Sequence, residues 1–219
     1  MINRHRIVGG LAGLLTLGAL GGLTTGAMPQ LAAADAQPGD HLTSEVLLSA
    51  ADLDAAGWQK PMTGDIVSDD GALLGQCAGP TPDLAPGFVE LKGTDLYSNA
   101  DDISATGLEL VMSFKTDAQA RDYVSSYRTA IEGRCLDLFG LRKWHVTRSA
   151  KVTLRRSDAE HARTWTVRDS VAHQQTDSVS LVRVQERVAL IWLTGYPTDP
   201  AKTLHLHRLT QTAADRIAA

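Results

Sequence analysis

The chain has 219 residues, of which 21 are Lys or Arg and 25 are Asp or Glu, so its formal net charge is −4. This slightly acidic balance argues against nucleic acid as a main partner. The length allows one domain with a substantial hydrophobic core.

Residues 1–36 have the layout of a secretory signal peptide. A short basic start is followed by an uncharged run of small and apolar residues over 7–27, and then by a small-residue cleavage pattern at 34–36. The alternative is a retained membrane anchor, because the apolar run is nearly long enough to span a bilayer. Its many glycines favour cleavage. We therefore predict a secreted, extracytoplasmic chain with no stable membrane anchor after cleavage and a flexible lead-in over residues 37–44.

The first half of the mature chain is predicted to contain one short helix and three strands. Ser49 is a suitable N-cap for the helix, Gly57 ends it, and Trp58 is expected to pack back on it. The predicted strands cover residues 65–67, 88–97 and 107–114. Alternation toward one side is strongest in the last of them, through Leu108, Leu110, Met112 and Phe114.

An amphipathic helix is predicted over residues 116–135. Thr116 is a good N-cap, and Gln119 can complete a capping box. Apolar residues then recur at steps of three and four, which places them on one face of the helix. They are Ala120, Tyr123, Val124, Tyr127 and Ile131. Cys135 is expected to continue this apolar face toward the core.

The second half is typical of an antiparallel sheet followed by a helix. Short strands are predicted over residues 144–147, 151–156, 163–171, 178–185 and 188–194. The last of these is apolar on both faces, which indicates a central strand. Pro200 is well placed at the start of a closing helix over residues 201–218. Residues 45–219 are therefore predicted to form a single α+β domain, with a mainly antiparallel sheet and helices packed on one face.

Cys77 and Cys135 are the only cysteines. In an exported chain they most simply form one disulfide. Because the bridge would close a long loop, the chain-entropy model gives it up to about 4 kcal/mol. Two buried thiols or a redox pair are the alternatives, although the sequence contains no C-x-x-C motif.

No catalytic motif stands out in the sequence. It lacks the nucleophile elbow, the zinc-protease motif and the glycine-rich phosphate loops. His205 and His207 would point about 200 degrees apart on a helix, so they could not chelate one metal ion. We therefore predict a protein that is not an enzyme and has no catalytic residues, no metal site and no cofactor. The alternative is a secreted hydrolase whose site is assembled from residues distant in sequence.

A basic strip is the first candidate binding surface. Arg148, Lys151 and Arg155 belong to a stretch of the chain without acidic residues, and they could contact an anionic polymer of the cell envelope. The alternative is a solvated strand edge, where Lys and Arg discourage pairing with another sheet.

Aromatic side chains provide the second candidate. Such side chains could line a ligand-binding cleft between the helices and the sheet. The alternative is ordinary core packing, in which large aromatic residues dominate. The candidate ligand-binding residues are Trp58, Tyr127, Trp144 and Trp165.

Four segments together resemble the extracytoplasmic PknH-like sensor domains of actinobacteria. They are LLSAADLDAAGW, SFKTDAQARDYVSSYRTAIEGRC, VTLRRSD and LTQTAADRIAA. The resemblance implies an α+β sandwich with a cleft, no established catalysis, and a ligand-sensing role. Our leading hypothesis is a secreted, non-enzymatic domain that binds a small molecule or a cell-wall component. This chain departs from the kinase-attached members because it can form only one disulfide, where they usually have two, and because it has no kinase domain.

Overall fold

Eight strands form one sheet in the computed structural model, which describes residues 41–65, 82–98, 106–133, 135–136, 143–156, 158–169, 176–195 and 201–219. The strands are β1 (Pro61–Asp65), β2 (Phe88–Ser98), β3 (Thr106–Phe114), β4 (Cys135–Leu136), β5 (Lys143–Lys151), β6 (Ala159–Asp169), β7 (Thr176–Val184) and β8 (Arg187–Gly195). Their order across the sheet is β1-β2-β3-β8-β7-β6-β5-β4. Neighbouring strands pair in the antiparallel direction throughout.

Three α-helices accompany this sheet in the described ranges. They are α1 (Ala50–Ala55), α2 (Asp117–Glu132) and α3 (Ala201–Ile217), and short 3-10 turns cover Ser44–Val46 and Pro82–Leu84. None of the helices in the described residues is both long and apolar enough to cross a membrane. The predicted fold class, α+β with a mainly antiparallel sheet, is confirmed.

The helices lie on both faces of the sheet, which corrects the prediction that they pack on one face. In β8, Trp192 packs in the hydrophobic cluster that contains Tyr127 of α2. The residue before it, Ile191, packs in the cluster that contains Leu53 of α1 and Leu209 of α3. Successive strand residues point to opposite faces, so β8 is covered on one side by α2 and on the other by α1 and α3.

Helix α2 begins as predicted but ends earlier. The Thr116 hydroxyl accepts a hydrogen bond from the Gln119 backbone N–H at 3.2 Å, which caps the helix. The five predicted apolar residues are all buried. The helix stops immediately before Gly133, whose backbone is extended. Cys135 therefore lies in β4, opposite Trp144, and does not continue the helix as predicted. Glycine ends helices readily because its backbone is the most flexible.

The predicted disulfide remains a prediction. Cys77 lies outside the described residues. For Cys135, the structure describes only the backbone, which belongs to the short strand β4 after the C-terminal end of α2. A bridge between the two would therefore attach the 66–81 segment close to the point where α2 meets the sheet.

The segment before α1 packs on the sheet. Ser49 caps α1 through a capping box with Asp52, as its sequence position suggests. Before it, Leu42, Val46 and Leu48 are buried in the cluster shared by α1 and α3. We call residues 41–48 the N-terminal strap. From Leu42 onward the apolar side chains of the strap are removed from water, whereas residues 37–40 of the predicted flexible lead-in lie outside the described residues.

Candidate functional site

The predicted aromatic residues do not converge on one cleft. Tyr127 and Trp165 pack together on the α2 face of the sheet, with ring centroids 6.3 Å apart. Trp58 lies on the opposite face, in the cluster with α1 and α3. The backbone of Trp144 pairs with Cys135, and its side chain is outside the described part. Because a sheet separates Trp58 from Tyr127 and Trp165, the prediction that they share one site is wrong.

A row of large side chains crosses the α2 face instead. Trp165 of β6 lies opposite Val179 of β7, which in turn lies opposite Trp192 of β8. Trp192 is paired with Leu108 of β3 on its other side. All four side chains belong to the core cluster covered by α2. Two indole rings therefore flank a valine on the same face of the sheet, close to the C-terminal end of α2.

Each of these indoles donates its N–H to a carboxylate. Trp192 Nε1 donates to Asp177 Oδ2 at 3.1 Å, and Trp165 Nε1 donates to Glu132 Oε1 at 3.1 Å. Asp177 lies two residues before Val179 on β7, so it points to the same face. Its exposed fraction is only 2%. A charged residue this deeply buried needs polar partners, because the interior solvates it poorly. The indole of Trp192 is one such partner.

Glu132 connects the C-terminal end of α2 to the sheet through hydrogen bonds and ion pairs. Besides the indole of Trp165, it contacts Arg128 at 3.1 Å and Arg163 at 3.4 Å. Arg163 also donates to the Ser149 hydroxyl of β5 at 2.6 Å. Partial burial alone would raise the pKa of Glu132, but the hydrogen bonds from Trp165 and Arg128 and the two positive charges hold that pKa below its usual value. This carboxylate is therefore ionised at neutral pH, and its contacts stabilise the packing of α2 on the sheet.

Two tyrosine hydroxyls lie inside the interface between α2 and the sheet. Tyr123 and Tyr127 are both buried, and neither hydroxyl has a hydrogen-bond partner in the part of the chain that the structure describes. Burial raises the pKa of both phenols, so they stay neutral. A neutral phenol can donate or accept a hydrogen bond but is a poor nucleophile. The chemistry of this face therefore suits recognition of a polar group by aromatic side chains.

The N-terminal end of α2 is fixed by a buried cation. Arg183 of β7 contacts both Asp117, in the first turn of α2, and Glu160 of β6, and it donates to the Gln185 carbonyl at 2.9 Å. Its exposed fraction is 2%. Together with Glu132 at the other end, Arg183 holds α2 over the row of indoles.

The basic strip lies along the edge of the sheet. β5 is one continuous strand ending at Lys151, where two separate strands were predicted. β4 pairs only with Lys143 and Trp144. Beyond those two residues, β5 has no outer neighbour within the described ranges. Arg148, Lys151 and Arg155 are all exposed there or just after the strand.

These three cations do not share one surface. Arg148 lies opposite Thr166 of β6, and Lys151 lies opposite Arg163. Because Thr166 and Arg163 are three residues apart on one strand, Arg148 and Lys151 point to opposite faces. Arg155 lies beyond the end of β5, where its backbone N–H donates to a glutamine of α3 at 2.8 Å. This arrangement supports protection of the sheet edge, and contact with an anionic polymer remains a prediction.

Comparison with known proteins shows the fold. No protein-family model matches the sequence, and no curated protein matches it. The crystal structure of the extracellular domain of PknH from Mycobacterium tuberculosis is similar, with a TM-score of 0.52, 14% identity, and coverage of 82% of this chain and 99% of that one. The two share their fold. The PknH-like resemblance read from the sequence is thus confirmed at the level of the fold.

A second solved structure is more distant. It is an uncharacterised protein from Mycobacterium smegmatis, described as the Rv0999 ortholog, with a TM-score of 0.36 and 7% identity over 83% of this chain and 99% of that one. A TM-score this low carries no argument about fold or function. The PknH-like fold is therefore assigned from the first comparison alone.

Sequence reasoning missed the carboxylates of the α2 face. Asp177 stands just before a predicted strand, where an acidic residue is most often exposed. Glu132 is not among the residues of the apolar face predicted for α2. The available signal was the number of tryptophans, because a buried indole N–H usually has a hydrogen-bond partner. The sequence does not show which carboxyl group accepts a hydrogen bond from each indole, because that depends on strand register and on where α2 ends.

Proposed function

We propose that this chain is a non-enzymatic, extracytoplasmic sensor-like domain that binds a small molecule or a component of the cell envelope. The binding site would be the α2 face of the sheet near Trp165, Trp192 and Asp177. The likeness of the fold to an extracellular domain supports the placement outside the cytoplasm. The predicted signal peptide supports it independently.

The observation that carries the proposal is the buried hydrogen bond between Trp192 and Asp177. Ligand sites are mostly apolar and contain a few well-placed polar groups. The α2 face has this composition, because two indoles, Val179 and the buried carboxyl group of Asp177 lie on it. Tyr127 adds a hydroxyl without a partner in the described residues. A ligand with an apolar body and one hydrogen-bonding group would match these side chains.

The test is mass spectrometry of compounds retained by the protein purified from its natural secretion medium. Trp192→Phe removes an indole from the proposed site, and Trp58→Phe removes one from the opposite face. The two are a matched pair, because their exposed fractions are 8% and 9%. We expect a compound to remain bound to the wild-type protein and to Trp58→Phe, and to be lost from Trp192→Phe.

Two results would contradict the proposal. If the wild-type protein carries no compound, the chain is not a ligand-binding domain under the conditions in which it is made. If both variants lose the compound equally, the site is not on the α2 face. Circular dichroism of each variant shows whether the fold is retained.

A further inference from the structure

The N-terminal strap is attached to the sheet through the side-chain carboxyl groups of two glutamates. The Leu48 backbone N–H donates to Glu109 Oε2 at 2.6 Å, and the Leu42 backbone N–H donates to Glu90 Oε2 at 2.9 Å. Glu109 belongs to β3 and Glu90 to β2. Between these two bonds, Val46 is buried against α1 and α3. The strap thus lies on the sheet face opposite the proposed ligand site.

Arg216 of α3 attaches the strap and α1 from the other side. It donates to the Glu45 carbonyl at 2.8 Å and to the Ser49 hydroxyl at 3.2 Å. It also forms an ion pair with Asp52 of α1 at 2.6 Å. Its positive charge is therefore neutralised mainly by Asp52, and Glu109 has no direct contact with a cation in the described residues.

Glu109 is a buried carboxyl group in a central strand. Its exposed fraction is 0%, and its Oε1 atom has no hydrogen-bond partner within the described part of the chain. Its cross-strand neighbours are Thr94 of β2 and Ile191 of β8, and neither ionises. The other residues on the same face of β3 are uncharged as well; they are Gly107, Val111 and Ser113. The charged groups of the covering elements that act on its pKa are Arg216 of α3, which lowers it, and Asp52 of α1, which raises it.

This surrounding favours the protonated form of Glu109. Removal from water raises its pKa to about 8 from an ordinary 4.5, although the Leu48 N–H and the charge of Arg216 act in the opposite direction. The negative charge of Asp52 adds to the increase. An ionised carboxylate with one oxygen unsolvated is costly in an apolar environment. Docking of the strap therefore favours the neutral form of Glu109 over the charged one.

We propose that the strap is an acid-favoured latch: it docks over Glu109 when this carboxyl group is protonated and is released as the carboxyl group ionises. The strap is suited to this movement because Leu42 and Leu48 are bonded to side-chain carboxylates and not to a neighbouring strand. In this proposal, release of the strap admits water to Glu109, and no strand pair has to break for it.

The direction of the pH dependence follows from proton linkage. In the docked form burial raises the pKa of Glu109 to about 8, and water admitted on release moves that pKa back toward the ordinary 4.5. Between these values the docked form holds one more proton, so docking weakens as the pH rises, by up to about tenfold per pH unit. Below the lower value docking has its full strength, and above the higher value it changes no further.

The experiment is amide hydrogen exchange of the purified protein at several pH values. Each rate is divided into the rate of an unstructured peptide of the same sequence, which removes the intrinsic pH dependence. Between about pH 5.5 and about pH 7.5, we expect the protection of the Leu48 amide to fall by up to roughly 70-fold, the factor given by titration near 4.5 and near 8. The Leu190 amide of β8 should stay more protected at every pH, because the sheet opens only on global unfolding.

Two variants complete the test. Glu109→Gln keeps the size of the side chain and an acceptor for the Leu48 N–H but cannot ionise, so its strap protection should not depend on pH. Glu90→Gln is the matched control, because it also accepts a strap N–H but is partly exposed; the pH dependence should persist in it.

The latch is overturned if strap protection in the wild-type protein is independent of pH, or if Glu109→Gln keeps the wild-type slope. It is also overturned if the Leu48 and Leu190 amides are equally protected, because the strap then opens only with the whole domain. Comparing the Leu48 and Leu190 amides needs only the wild-type protein, so it tests the latch even if Glu109→Gln does not fold.

Discussion

Arg183 provides a test of how α2 is held on the sheet. It is almost completely buried, whereas its two partners, Asp117 and Glu160, are about half-exposed. Its Nε atom has no hydrogen-bond partner in the ranges that the structure describes. The cluster is therefore asymmetric: the cation depends on the carboxylates for solvation, while the carboxylates can turn to water.

This asymmetry predicts opposite outcomes for two perturbations. The double substitution Asp117→Asn with Glu160→Gln leaves Arg183 buried without an opposite charge, and we expect the free energy of unfolding to fall by about 3–5 kcal/mol. Arg183→Met removes the buried charge and fills a similar volume. Since water can solvate the two carboxylates left behind, we expect stability to stay within about 1 kcal/mol of the wild type or to rise.

Urea denaturation measures both effects through the transition midpoint, provided the slope of the transition is unchanged. Arg128→Met is a suitable control, because it breaks an exposed ion pair with Glu132 one turn away on α2. Such pairs contribute about 0.5 kcal/mol or less. The reasoning would be refuted if Arg183→Met destabilised the protein more than the double substitution does. The charge cluster would then be a net source of stability.

Three further predictions follow from the sequence alone. N-terminal sequencing of culture supernatant should find a chain lacking residues 1–36, and recovery only in membranes with these residues intact would contradict it. Non-reducing peptide mapping should find the Cys77–Cys135 bridge, and two free thiols would exclude it. Replacing both cysteines with Ser should lower the free energy of unfolding by about 2–4 kcal/mol. Retention on the cell wall should weaken, and lose its salt dependence, when Ser replaces the basic strip of Arg148, Lys151 and Arg155. Unchanged retention at low salt would leave only edge protection.

Local patterns predicted most helices and strands because local chemistry determines them. The caps at Ser49 and Thr116 are formed as their spacing indicates, and the strand that is apolar on both faces is an inner one. The end of α2 was misplaced because the apolar face was extended through Gly133 to Cys135. The extended backbone at Gly133 ends the helix there, although the apolar spacing of the side chains continues to Cys135. Strand register, which brings Trp192 to Asp177, could not be read because it depends on contacts distant in sequence.

The error about the faces of the sheet explains why Glu109 was overlooked. In β3, the alternation of apolar residues assigns Glu109 to the other face, which an antiparallel sheet often exposes to water. Val111 contradicts that reading, because it is apolar and stands on the same face as Glu109. Ile191 of β8 and Val182 of β7 are likewise apolar residues on this face. Val111, Ile191 and Val182 are all buried against α1 and α3. Apolar residues at the supposedly exposed positions of three adjacent strands indicate a second buried face. An acidic residue within such a face needs a physical reason for being there, and for Glu109 the contact with Leu48 of the strap provides one.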